Sequence, residues 1–87
     1  MNTQAHIEQT LRAALEPTEL DVRDDSHLHA GHAGARDGGH YFVRIRSRRF
    51  AGLATLARHR LVYDSLGSLA AIGIHALAID AQPAGER

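Results

Sequence analysis

The stretch HYFVRIRS, residues 40–47, decides the fold of this chain. Tyr41, Val43 and Ile45 alternate with Phe42, Arg44 and Arg46, the period of two by which a strand turns one face to a core and the other to water. Aromatic and β-branched side chains dominate it, and these fit a half-buried pleated surface. A strand from His40 to Ser47 follows, with a wetter second face. Downstream, past Phe50 and Gly52, the run TLARHRLVYDSL places Leu56, His59, Tyr63 and Leu66 on one helical face, and Gly67 stops it. Ser68 then caps a short turn from Leu69 to Ile72, and Gly73 opens a last strand, IHALAI. Upstream, the segment from Ser26 to Gly39 holds glycines and three histidines with hardly any large apolar residue, the composition of an exposed, mobile loop. Before it, Leu20 and Val22 alternate with Asp21 and Arg23 in a short strand. Thr3 can cap a first helix whose Ile7, Leu11, Ala14 and Leu15 form one stripe, and Pro17 ends that helix near Leu15 or Glu16.

The order is helix, strand, strand, helix, short helix, strand, an α+β class. Two antiparallel strands and a third that returns after a helix make a three-stranded mixed sheet with helices on one face. With 87 residues there is room for one domain, 1–87, ending in a short flexible tail at 81–87. The absence of cysteine excludes disulfides and redox pairs, so any thiolate in a metal site must come from a partner. The start MNTQAHIEQTLRAAL lacks the apolar run of a signal peptide, and no segment reaches the ~20 apolar residues of a membrane span, so a cytoplasmic protein is expected.

Net charge is zero, but its distribution is uneven. Between Gly38 and Tyr63 stand Arg44, Arg46, Arg48, Arg49, Arg58 and Arg60 with no acidic residue, either a solvated face or a phosphate-binding one. Histidine is the conspicuous residue type. His27, His29 and His32 fall within six positions of the glycine-rich loop, where backbone freedom lets imidazoles converge. A closed tetrahedral zinc site needs four ligands at defined spacing, which this loop does not offer. His75, at the start of the last strand, falls by alternation on the face of Leu77 and Ile79, the place of a structural, partly buried histidine. His59, between two arginines, reads as a packing or hydrogen-bonding residue. Nothing supports catalysis: the serines lack a nucleophile signature, Asp24 and Asp25 point to opposite faces if extended, and residues 31–39 match neither GxGxxG nor a Walker loop. The chain is therefore not expected to be an enzyme.

Taken in order, the elements resemble the BolA family. Asp24, Asp25 and Ser26 lead into HLHAGHAG; His40 and Phe42 begin a strand ending at Ser47; Phe50, Gly52, Leu56 and the run Arg58-His59-Arg60-Leu61-Val62-Tyr63 follow; His75-Ala76-Leu77 closes the pattern. The resemblance implies an αββααβ, class II KH-like fold and partnership with a monothiol glutaredoxin in a heterodimer. In that heterodimer a [2Fe-2S] cluster takes thiolates from glutaredoxin and glutathione and further ligands from the BolA-like chain. Carried over by position, those are His75 and His29, with His27 and His32 as alternatives within the same loop. No cofactor is expected in the isolated protein, which would be a monomer or weak homodimer, and the implied role is cluster trafficking or iron regulation. Gly38 and Gly39 depart from the family pattern, in which an acidic residue and a Ser or Thr precede the histidine. The same resemblance implies a second role, DNA-binding transcriptional regulation, and the acid-free segment supplies Arg46, Arg48, Arg49, Arg58 and Arg60 as the candidate phosphate contacts.

Overall fold

The computed structural model describes residues 2–26 and 39–85. Helix α1 (Thr3–Leu15) leads into strand β1 (Glu19–Asp24), strand β2 (Gly39–Ser47), helix α2 (Thr55–Leu66) and strand β3 (Ile74–Pro83). Single 3-10 turns at Arg48–Phe50 and Ala70–Ile72 join the later elements, the second standing where the sequence predicts a short helix. The sheet order is β1-β2-β3, with β1 and β2 antiparallel and β2 and β3 parallel. This is the expected mixed sheet.

Apolar periodicity explains the layers. Ile7, Leu11 and Leu15 form the buried stripe of α1, spaced four apart, and meet Tyr41, Val43 and Ile45 from β2. Ala14, expected in that stripe, is exposed. Val22, Phe50, Val62, Leu66, Ile74 and Ala81 complete the core. On α2 the observed inward residues are Val62 and Leu66, whereas Leu56 is 72% and Tyr63 40% exposed. The stripe expected through Leu56, His59 and Tyr63 therefore faces away from the core.

The chain ends of the helices are satisfied locally. Asn2, not Thr3, caps α1 by accepting from the Ala5 N–H at 3.1 Å, and the Thr3 hydroxyl donates instead to the Ile72 carbonyl at 3.2 Å. Glu16 ends the helix in the left-handed region, at φ 48°, just before Pro17. Ser47, fully buried, donates from Oγ to the Leu15 carbonyl at 2.6 Å and accepts from the Arg49 N–H at 3.1 Å, tying the end of α1 to the end of β2. Strand β3 does not stop at Ile79, the end of the expected IHALAI segment. It continues beside Arg46 and Ser47 to Pro83, Ala81 and Ala84 are buried, and the Ala84 N–H donates to the Ser47 carbonyl. The first three residues of the stretch expected as a tail, 81–83, are thus sheet, held by backbone pairing that Ala81, Gln82 and Pro83 do not advertise, while residues 86–87 lie outside the described residues. Among the described residues no helix is long and apolar enough to cross a membrane.

Candidate functional site

One end of the sheet gathers the residues singled out by the histidine pattern. Asp25 N–H donates to the His40 carbonyl at 2.7 Å, the His40 N–H donates to Ser26 Oγ at 3.0 Å, and the Gly39 N–H donates to the Gly73 carbonyl at 2.9 Å. These bonds fasten the residues on both sides of 27–38 to each other and to the start of β3. Close approach is part of the fastening: a Cβ at Gly39 would meet Ser26 Oγ at 2.6 Å and the Tyr41 ring at 2.7 Å. Gly73 also lines a groove of about 330 Å³ with Thr3, His6, Ala71 and Ile72.

His75 sits at this junction and is exposed, while Leu77 and Ile79 pack against the core. Strict alternation would place all three on one face. The reason for the difference is a register shift: Gly39 pairs with Ile74 but His40 pairs with Ala76, so β3 carries one residue more than β2 here. His75 is that extra residue, Ile74 takes the inward position at 3% exposure, and the imidazole is turned out. Its ring lies 5.1 Å from the ring of His40, centroid to centroid, at 49°. In the sequence His40 reads only as the start of a strand, although its phase with Phe42, Arg44 and Arg46 already puts it on the uncovered face. His29, His27 and His32 lie outside the described residues.

The arginines fall into three kinds. Arg46 faces Glu19 at 3.4 Å and Arg49 faces Glu16 at 2.9 Å, both exposed pairs. Arg58 is half-buried and structural, its Nε donating to the Leu53 carbonyl at 2.8 Å and its Nη1 to the Ala81 carbonyl at 3.1 Å. Only Arg48 and Arg60 of the five expected to touch nucleic acid are exposed without an ion pair or side-chain hydrogen bond among the described residues. On the uncovered sheet face Arg44 stands 3.8 Å from Asp80, and Arg23 lies over the Phe42 ring at 4.7 Å while bonding Asp25 at 2.9 Å. The hydrogen bond to Asp25 raises the Arg23 pKa above its ordinary value. That face is therefore charge-balanced along its length.

Among the described residues no three His, Asp or Glu side chains converge on one point. What the junction offers is nitrogen: an outward imidazole on a fixed strand, beside the anchored ends of a segment carrying three more. Such donors suit iron in a mixed nitrogen and sulfur set, in which thiolates come from elsewhere.

The BolA-like protein family matches residues 11–86. The chain is 42% identical over 82 residues to the chloroplast protein BOLA1 of Arabidopsis thaliana, covering 90% of this chain and 51% of that protein. It thus spans about half the length of that relative. It is 39% identical over 79 residues to the DNA-binding transcriptional regulator BolA of Escherichia coli, covering 91% of this chain and 73% of that one. The solved BolA domain of SufE1 from Arabidopsis thaliana superposes with a TM-score of 0.84 at 39% identity, over 100% of this chain and 98% of that one. With sequence match, strand order and helix placement in agreement, this chain belongs to the BolA family.

Proposed function

We propose that the chain is a BolA-type adaptor that docks a monothiol glutaredoxin and completes a shared [2Fe-2S] cluster through His75 and a loop imidazole, His29. The observation that carries this reading is the outward turn of His75 at the β3 bulge, beside the hydrogen-bonded junction that flanks residues 27–38. The residues on either side of the bulge, Ile74 and Ala76, are both paired with β2, so little backbone ordering remains to be done when a partner arrives. With no cysteine of its own the chain contributes nitrogen only, and the thiolates are left to glutaredoxin and glutathione. When bound, the cluster supplies one-electron chemistry, and imidazole in place of thiolate raises its reduction potential by removing negative charge. The chain's part is to bind and orient; it is a binding module in cluster trafficking or iron regulation, not a catalyst.

Anaerobic reconstitution of the chain with glutaredoxin, glutathione and iron, followed by visible circular dichroism, tests this. His75→Ala is expected to change the spectrum and shorten the cluster's lifetime. An unchanged spectrum and lifetime would remove His75 from the cluster.

A second reading, direct contact with DNA, is supported by the regulator of Escherichia coli at 39% identity and by exposed Arg48 and Arg60. It ranks lower because Arg46 and Arg49 are already paired and Arg58 is occupied by backbone carbonyls. A mobility-shift titration across salt concentrations tests it, since phosphate contacts make affinity fall steeply with salt. Salt-insensitive or absent binding would end this reading.

A further inference from the structure

We propose that His40 and His75 form a two-imidazole site that binds a borderline divalent cation, of which Zn2+ is the working probe, in the free chain without any glutaredoxin. The ring centroids are 5.1 Å apart and tilted by 49°. Two imidazoles that share one cation at ~2.0–2.1 Å from a nitrogen of each have centroids roughly 5 Å apart, which is the separation of this pair. Imidazole is a good ligand for zinc, copper and nickel, and water completes the remaining positions of an open site.

Both ring-bearing residues are held before the cation arrives. His40 is pinned through its carbonyl by Asp25 and through its N–H by Ser26, while Gly39 bonds Gly73 across the strands. His75 is the bulged residue that faces His40 only because of the register shift between Gly39 and His40. No carboxylate is required: the nitrogens alone select a borderline ion over magnesium or calcium, which prefer oxygen. The inference is independent of the cluster reading, although the two sites share His75, so a bound cation and a cluster would exclude one another.

The experiment removes the competing loop imidazoles first. Chain carrying His27→Ala, His29→Ala and His32→Ala together is titrated with Zn2+ by calorimetry, with circular dichroism as the check of folding. This triple variant is expected to bind a single Zn2+. Adding His40→Ala or His75→Ala should each weaken binding by at least the roughly tenfold that even loss of an outer-shell partner costs a metal site. Failure of the triple variant to bind Zn2+, or an affinity unchanged by His40→Ala, overturns the proposal. Ring-nitrogen NMR of the triple variant settles the matter without touching either residue. Zn2+ should shift the His40 and His75 rings while His6 and His59 stay in place, and shifts confined to His6 or His59 overturn the site.

Discussion

The Gly39 N–H donates to the Gly73 carbonyl at 2.9 Å, and this bond sets the exit of the 27–38 segment two residues from His75. A Cβ at Gly39 has no room, because Ser26 Oγ and the Tyr41 ring lie at 2.6 and 2.7 Å from where it would stand. Gly39→Ala is therefore expected to cost about 1–3 kcal/mol, as overfilling a close-packed site does. Urea unfolding checks it, and a midpoint equal to the parent's would mean that the junction yields freely.

Ser47 tests the other end of the sheet. Its buried hydroxyl serves both the Leu15 carbonyl and the Arg49 N–H. Ser47→Ala strips partners from both groups and should destabilise by about 1–3 kcal/mol, measured by the same urea unfolding. Because Ser47 lies at the opposite end of β2 from His40, the visible spectrum of a reconstituted cluster should not change.

The two faces of α2 give opposite outcomes. Leu66→Ala empties a core position and is expected to cost about 2–5 kcal/mol. Leu56→Ala trims a side chain that is 72% exposed, and its effect should stay within about 0.5 kcal/mol. Thermal unfolding of the two variants side by side measures the contrast, and equal losses would contradict the observed helix orientation.

Arg58 and Arg60, neighbours but for one residue, should also separate. Arg58→Ala removes donors from the Leu53 and Ala81 carbonyls and lowers the melting temperature. Arg60→Ala leaves stability within about 0.5 kcal/mol. If the chain does bind DNA through Arg60, that substitution lowers the salt slope by about 0.9 for each phosphate no longer neutralised.

These contrasts show where sequence reading ends. Strand β2 and helix α2 are legible almost to the residue because each repeats its own period over nine or twelve positions. The inward face of α2 is not, since stripes through Leu56, His59 and Tyr63 or through Val62 share Leu66, and only tertiary placement decides between them. The direction of His75 is illegible for a sharper reason. Alternation within β3 predicts an inward ring, but a bulge is a property of two strands in register, and one extra residue reverses the side on which a side chain lies. The same limit hides the His40–His75 contact, since two strands far apart in the chain carry the rings. The cap passes from Thr3 to Asn2 because the Thr3 hydroxyl is drawn to Ile72, a partner 69 residues away.

The most direct test of the cluster role observes the bond itself. The proposed complex with glutaredoxin is assembled with 15N-histidine in this chain alone, the cluster is reduced, and pulsed EPR records the nuclei coupled to it. A strongly coupled 15N that disappears in His75→Ala is the predicted result. A cluster that carries no coupled 15N from this chain, with sulfur at every position, would contradict it.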